Sequence, residues 1–194
     1  MTSIQCKILL VGMSGVGKSR IKIRFVQGHF VEVYDPVMED PYFVDLPVDK
    51  NMTATIEVLD SGESECEYTA LRDQYYKRSN GYIYVYSITS NESFVTLEHF
   101  RQQIYSVKDA DYSEQFPAVL CGNKCDLESA REVKTESGLN LAQEWNIHFF
   151  ESSAKSGVNI GILFGEVSKQ IALKTKNIQK SIIKKTSSKT CLLV

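Results

Sequence analysis

Residues 12–19, with the sequence GMSGVGKS, constrain the fold of this chain more than any other feature. They satisfy the pattern G-x-x-x-x-G-K-[ST] of a phosphate-binding loop, the P-loop. The apolar run at 8–11 predicts a buried strand before the loop, and apolar residues between 21 and 26 predict a helix after it. The motif therefore lies where its mechanism requires it, between the end of a strand and the start of a helix.

Each part of this loop has a chemical role in holding a phosphate chain. We expect the backbone of Gly15, Val16 and Gly17 to wrap the phosphates with its N–H groups, while the helix N-terminus adds partial positive charge. Lys18 is expected to reach the terminal phosphates, and the hydroxyl of Ser19 to ligate Mg²⁺. A glycine-rich turn that matches by chance is the alternative. A nucleophile elbow, G-x-S-x-G, is excluded because it needs glycine at Val16.

Charge is distributed unevenly along the chain. The 194 residues include 22 basic and 24 acidic side chains. Residues 174–194 hold six of the lysines and no acid, which leaves 16 basic against 24 acidic residues, a formal charge of −8, on the rest. We expect one domain, 1–173, followed by a basic flexible tail, 174–194, that meets an anionic surface. The acidic body argues against nucleic acid as a partner.

The cysteines and the apolar runs indicate a cytosolic protein. Five cysteines are an odd number without a close-paired framework, so reduced thiols are expected. Cys121 and Cys125 are four residues apart, without the C-x-x-C spacing or the histidine cluster of a zinc site. We find neither an apolar run long enough to span a membrane nor a signal peptide in the sequence.

Apolar periodicity and turn residues predict strands that alternate with helices. A hairpin turn at 49–51 joins the second and third strands, and Asn91 or Ser93 is predicted to cap a helix that ends near residue 108. Such alternation favours a mostly parallel sheet, which binds ligands at the carboxyl ends of its strands. The loops 12–19, 60–62, 123–126 and 152–155 all lie there. The predicted strands are 4–11, 42–48, 54–59, 82–88, 117–121 and 147–150, and the other helices run to about 27, over 68–77, over 137–145 and from about 159.

These residues together resemble the Ras family of small GTPases over nearly the whole chain. The matching pieces are GMSGVGKS, FVEVYDP at 30–36, LRDQYY at 71–76, GNKCDL at 122–127, ESSAK at 151–155 and a C-terminal CLLV. The resemblance implies an α/β fold of the P-loop GTPase (Ras-like) type, with a mostly parallel six-stranded sheet and helices on both faces. It also implies GTP or GDP as the ligand and Mg²⁺ as the cofactor.

In the family, the Asn-Lys-x-Asp motif selects guanine. The resemblance gives Asp126 the role of accepting hydrogen bonds from the base, and a carboxylate suits guanine because that base offers two adjacent donors. Asn123 would tie this loop to the P-loop, Lys124 would lie over the ring, the Ala154 N–H would meet the guanine oxygen and Phe30 would pack against the base. A P-loop kinase or ATPase is disfavoured, since adenine would leave the carboxylate unpaired. The nucleotide-binding residues implied in this way also include Gly62, Ser153 and Lys155.

Three departures from the family pattern surround the γ-phosphate. Val37 replaces a threonine that ligates Mg²⁺. Where the family has Asp-Thr-Ala-Gly-Gln, residues 60–64 are DSGES. Asp60 is kept as the outer partner of the metal, Gly62 arrives one residue early, and the glutamine that orients the attacking water is missing. Ser14 replaces a glycine beside the γ-phosphate, where a side chain crowds an arginine finger. The sequence therefore predicts slow GTP hydrolysis.

Lys18 and Glu63 are the candidate catalytic residues. Glu63 is the weaker one, because a carboxylate can orient a water but adds negative charge to an anionic site. The predicted function is a membrane-anchored GDP/GTP switch of Ras type that hydrolyses GTP slowly. The alternative is a guanine-nucleotide-binding interaction module with negligible GTPase activity.

The C-terminal segment predicts a lipid anchor. Residues 191–194 fit C-a-a-X, so Cys191 is a prenylation candidate, with farnesyl and geranylgeranyl both open. One lipid chain holds weakly, and the six lysines supply the second attraction to an anionic membrane. The expected location is the cytoplasmic face of the plasma membrane. The resemblance implies a guanine nucleotide exchange factor and effectors that bind residues 34–43, where Pro41 is predicted to alter partner choice by removing a backbone donor.

Overall fold

A six-stranded sheet forms the centre of the molecule. The computed structural model describes residues 2–30, 43–60 and 69–190, and the side chains of 3–30, 43–60 and 70–178. The strands are β1 Thr2–Val11, β2 Phe43–Asp49, β3 Met52–Asp60, β4 Gly81–Ser87, β5 Ala118–Asn123 and β6 His148–Glu151. The helices are α1 Lys18–Gln27, α2 Thr69–Arg78, α3 Asn91–Val95, α4 Leu97–Val107, α5 Thr135–Trp145 and α6 Ile160–Thr190, with a short 3-10 helix at Glu128–Ala130.

The order of the strands brings the predicted loops to one edge of the sheet. That order is β2-β3-β1-β4-β5-β6, in which β2 runs antiparallel to β3 and the other neighbours are parallel. The register aligns Leu10 with Asp60 and Val11 with Tyr84, so the carboxyl ends of β1, β3 and β4 lie side by side. The predicted hairpin and the mostly parallel sheet are confirmed.

Helices cover both faces of the sheet, as predicted. Alternate residues of β1 enter two different hydrophobic clusters, because successive side chains of a strand point to opposite faces. Helices α1 and α6 contribute Ile21 and Phe164 to the first cluster. Helices α2, α4 and α5 contribute Tyr76, Ile104 and Trp145 to the second. Strand β4, at the centre of this arrangement, is buried along its whole length.

The helix predicted to end near residue 108 differs in two details. Ser90, and not Asn91 or Ser93, is the N-cap, because its side-chain oxygen accepts a hydrogen bond of 3.2 Å from the Ser93 N–H. The helix is also divided into α3 and α4 at Thr96, whose hydroxyl donates to the Glu92 carbonyl at 2.7 Å. A hydroxyl bonded back to the preceding turn competes with the backbone ladder and bends a helix.

Helix α6 continues through the lysine-rich segment to Thr190. Neither glycine nor proline interrupts residues 174–190, which explains why the backbone of a segment assigned to a flexible tail is helical here. Lys174 donates to Glu114 at 3.2 Å, and Lys176 lies 3.8 Å from the Asp49 carboxylate in the hairpin turn. Among the residues that the structure describes, no helix combines the length and the apolar character needed to cross a membrane.

Candidate functional site

The P-loop joins the end of β1 to the start of α1, where the motif required it. Gly15 and Gly17 have φ angles of 78° and 99°, in the left-handed region that favours glycine. Gly17 also has a steric reason, because a Cβ atom there would lie 2.5 Å from the side-chain nitrogen of Asn123. Gly17 is the residue before α1, and the absence of a side chain there lets the loop pack against Asn123, the last residue of β5.

Lys18 begins α1 and is buried against the loop. Its ammonium group donates hydrogen bonds to the carbonyl oxygens of Gly12 and, at 2.9 Å, of Met13. Lys18 is 5% exposed, whereas Ser14 and Gly15 at the tip of the loop are exposed. The loop thus holds a cation inside its curve while its tip faces solvent, an arrangement suited to a phosphate chain.

Asn123 joins three loops at one point. Its amide nitrogen donates to the Val16 carbonyl at 2.8 Å. Its amide oxygen accepts from the Ser152 hydroxyl and from the Ala154 N–H, both at 3.3 Å. Asn123 is 2% exposed, so these partners replace water completely. The P-loop, the loop after β5 and the loop after β6 are therefore held in one fixed arrangement.

Lys124 and Asp126 follow Asn123 and are each held by another loop. The Lys124 ammonium donates to the Gly15 carbonyl at 2.7 Å, and its backbone has a φ of 67°. Partial burial and then the nearby Arg20 lower the pKa of Lys124, against the opposing effect of Asp126. The Ser153 hydroxyl donates to the exposed Asp126 carboxylate at 2.6 Å. A carboxylate oriented in this way can accept hydrogen bonds from a base.

The two predicted metal partners lie at the ends of adjacent elements. Ser19 is half-buried in the first turn of α1, and Asp60 is the last residue of β3. Within 3–30, 43–60 and 70–178, no group of three or more His, Cys, Asp and Glu side chains able to hold a metal occurs. A hydroxyl and a carboxylate fit Mg²⁺, which binds through few protein oxygens and completes its shell with water and phosphates.

The remaining predicted residues are placed as follows. Phe30 is half-buried, and the Arg20 guanidinium lies 5.4 Å from the centre of its ring. Ala154 is buried and Lys155 is exposed in the loop after β6. Val37, Pro41, Gly62, Glu63 and Cys191 lie outside the described residues, as does all of the predicted effector segment except Phe43. The roles of these residues stay predictions.

A salt-bridge cluster beneath this site was missed by the sequence analysis. Arg131 donates two hydrogen bonds to the Glu151 carboxylate, at 2.7 and 2.9 Å, and two to the Glu128 carboxylate, at 2.7 and 2.8 Å. Hydrogen bonds to these two carboxylates raise the pKa of Arg131. The Thr135 hydroxyl also donates to the Glu151 carboxylate. The Asn159 amide donates to the Glu151 backbone carbonyl. Glu151 therefore fixes the start of the loop after β6 to the segments that contain Arg131, Thr135 and Asn159, and no local pattern pairs it with Arg131.

Strand β1, the glycine-rich P-loop and helix α1 follow one another, and the loops after β5 and β6 lie beside them. The fold and the site therefore define a P-loop nucleotide-binding protein of the α/β class. The model of the Ras family matches residues 7–173. The chain therefore belongs to the Ras family, and its domain is a small GTPase-like nucleotide-binding switch. Members of this family bind guanine nucleotide, typically with Mg²⁺, and typically act with effectors and exchange factors.

Proposed function

We propose that this protein is a lipid-anchored switch of Ras type that binds GDP and GTP tightly and hydrolyses GTP slowly. The main support for guanine binding is a hydrogen-bond network that is already formed around the proposed pocket. In this network Asn123 links three loops and Ser153 orients Asp126. Such preorganisation reduces the cost of ordering the site when the ligand binds. Asp126 would accept hydrogen bonds from the two adjacent donors of guanine, which adenine lacks.

The phosphate end of the ligand would be held by the P-loop and the metal. The Lys18 ammonium would give up its hydrogen bonds to the loop carbonyls and bind the terminal phosphates instead. The N–H groups of Gly15, Val16 and Gly17 would surround these phosphates. Ser19 and Asp60 would hold Mg²⁺, which supplies charge to neutralise the oxygens of the phosphate chain. Lys18 is thus both a binding residue and the main catalytic candidate.

Slow hydrolysis is proposed from three departures around the γ-phosphate, which concern the attacking water, the metal and the arginine finger. In Ras proteins these two elements together accelerate hydrolysis by roughly 10⁵, or about 7 kcal/mol. The glutamine that orients the water is missing, with Glu63 as a weak candidate for its role. Val37 offers no oxygen to the metal, and Ser14 places a side chain where an arginine finger would enter. The exposed position of Ser14 at the tip of the P-loop is consistent with that obstruction.

The test is a nucleotide analysis followed by one turnover of GTP. Purified protein should release guanine nucleotide on denaturation, and GTP-loaded protein should hydrolyse it far more slowly than an ordinary Ras protein. Glu63→Gln should raise the rate, and adding Val37→Thr and Ser14→Gly should restore the response to an arginine-supplying activator. Glu65→Gln is the matched control, because it removes the same charge two residues away.

Each outcome separates the candidate functions. A wild-type rate equal to that of an ordinary Ras protein would refute slow hydrolysis. A lower rate in Glu63→Gln would instead assign Glu63 the role of orienting the water. No detectable turnover in the wild type, together with tight nucleotide binding, would favour an interaction module that signals through nucleotide exchange alone.

The remaining features of the proposal concern partners and location. Effectors would bind through residues 34–43, and an exchange factor would replace GDP by GTP. A prenyl group on Cys191 and the lysines of 174–189 would hold the protein at the cytoplasmic face of the plasma membrane. The acidic body makes nucleic acid an unsuitable ligand.

A further inference from the structure

Arg20 is a cation at the nucleotide site for which the P-loop motif gives no role. It follows Ser19 in the first turn of α1, and its side chain is exposed. Its guanidinium lies 5.4 Å from the centre of the Phe30 ring, within the range of a cation–π contact. It is also near enough to Lys124 to disfavour the protonated form of that side chain. Arg20 thus contacts one residue assigned to the base, Phe30, and acts electrostatically on another, Lys124.

The position of Arg20 along the site identifies the part of the ligand that it would meet. Its backbone adjoins Ser19, at the end of the P-loop where phosphates and metal are expected. Its guanidinium extends to Phe30, which is expected to pack against the base. The side chain therefore runs from the phosphate end to the base end. The part of a nucleotide between those ends is the sugar and the α-phosphate.

Electrostatics at the start of α1 also favour an anion beside Arg20. The first turn of the helix contains Lys18 and Arg20 and no acidic residue. The helix N-terminus itself has partial positive charge, which adds to the attraction of these two side chains for an anionic ligand. A nucleotide phosphate is such a ligand, and a guanidinium binds phosphate through paired hydrogen bonds.

We infer that Arg20 is a further nucleotide-binding residue, whose guanidinium stacks on Phe30 and pairs with the α-phosphate of a guanosine di- or triphosphate. This inference rests on the proposed function, because it assumes guanine nucleotide in this site. Arg20 retains the ligand by binding the phosphate that GDP and GTP share and by pressing Phe30 against the base. The contact should slow nucleotide release without acting on hydrolysis.

The test measures release of tritiated GDP and GTP, whose ribose carries no bulky label, from the full chain in Mg²⁺ buffer with excess cold nucleotide. Arg20→Ala should release both nucleotides about tenfold faster, because it loses one charge-assisted contact. Arg20→Lys should be intermediate, since it keeps the charge but loses the planar stacking. Lys22→Ala is the matched control: it removes the same charge from α1 two residues along, on another face of the helix.

Several outcomes decide the inference. Equal factors for GDP and GTP, shrinking at high salt, support pairing with the α-phosphate. An effect much larger for GTP than for GDP would overturn it in favour of the terminal phosphates. Release from Arg20→Ala that matches Lys22→Ala would show that Arg20 does not contact the ligand. Wild-type protein that holds no guanine nucleotide would overturn the proposed function itself. Because Arg20 is exposed, the unfolding midpoint of nucleotide-free protein should be equal in the wild type and in both Arg20 variants.

Discussion

At the scale of single residues, the guanine pocket depends on how the Asp126 carboxylate is oriented. The Ser153 hydroxyl donates to Asp126 at 2.6 Å, while its oxygen accepts from the Ser156 N–H at 3.0 Å. Ser156 is held in turn by α1, since Arg24 donates to its carbonyl at 3.4 Å. Asp126 is exposed, so without these bonds its side chain would rotate freely in water.

Ser153→Ala should therefore weaken guanine recognition. We expect the affinity for GDP to fall about tenfold or more, because a hydrogen bond to a charged group is lost. The preference for GDP over inosine diphosphate, which lacks the 2-amino group, should fall as well. Competition binding of the two nucleotides measures both effects. Ser156→Ala is the control, because its backbone N–H is retained, and an unchanged GDP preference in Ser153→Ala would contradict this role.

A local pattern predicts the candidate guanine-binding residues, but it does not predict the contacts that orient them. Asn123, Lys124 and Asp126 form a contiguous motif, so a local pattern identifies them. The pairing of Ser153 with Asp126 joins residues 27 positions apart, and the pairing of Arg131 with Glu151 joins residues 20 apart. Such pairs arise only when β5 and β6 align in the sheet.

At the scale of elements, β4 shows how a strand is buried on both faces. Its three tyrosines, Tyr82, Tyr84 and Tyr86, all lie in the second hydrophobic cluster, and burial raises the pKa of each hydroxyl. The Tyr82 hydroxyl donates to the Tyr76 carbonyl of α2 at 2.8 Å. The buried Tyr86 hydroxyl has no hydrogen-bond partner among the described residues. The same residue type thus occupies two different polar environments in one strand.

This difference predicts opposite results for two identical substitutions. Tyr82→Phe should lower the free energy of unfolding by about 1 kcal/mol, because the Tyr76 carbonyl loses its donor. Tyr86→Phe should leave stability unchanged or raise it by up to about 1 kcal/mol, because an unpaired buried hydroxyl is removed. Urea unfolding at fixed GDP and Mg²⁺ concentrations measures both values. Equal losses in the two variants would show that the Tyr86 hydroxyl has a partner.

The elements themselves were largely predictable because each has a clear period and clear ends. The strands follow short apolar runs, and the hairpin turn at Asp49 follows from its polar residues. The division between α3 and α4 was not predicted, because the Thr96 hydroxyl can bind either solvent or the Glu92 carbonyl. Both conformations of the hydroxyl are compatible with the sequence of this segment, so the local pattern does not decide between them.

At the scale of the whole molecule, the acidic body is followed by the basic end of α6, residues 174–190, which forms ion pairs with the body. Lys174 and Lys176 pair with Glu114 and Asp49 of the body. Exposed ion pairs of this kind are weak, yet they reduce the charge that these lysines offer to another surface. The lysines farther along, such as Lys184 and Lys185, are therefore expected to dominate attraction to a membrane.

Vesicle binding by the full chain prenylated at Cys191 tests this expectation. Binding to vesicles that contain phosphatidylserine should exceed binding to phosphatidylcholine alone and should fall with salt. Replacing Lys184 and Lys185 by glutamine should weaken it about 30-fold, at about 1 kcal/mol per lysine. The same change at Lys174 and Lys176 should weaken it less. Cys191→Ser should abolish stable binding. The proposed anchor would be contradicted if this variant bound as well as the prenylated protein, or if the prenylated protein bound neutral and anionic vesicles equally.

Short local patterns were enough to specify the class of ligand, the P-loop and the α/β alternation. Their chemistry lies in neighbouring residues, since a glycine loop followed by lysine and serine acts through its own backbone. The tertiary structure decided which distant side chains hold that chemistry in place. Ser153 binds Asp126, and Arg131 pairs with Glu151, because the order of the strands brought the loops after β5 and β6 to one edge of the sheet. Contacts between loops depend on that order, which no single segment encodes.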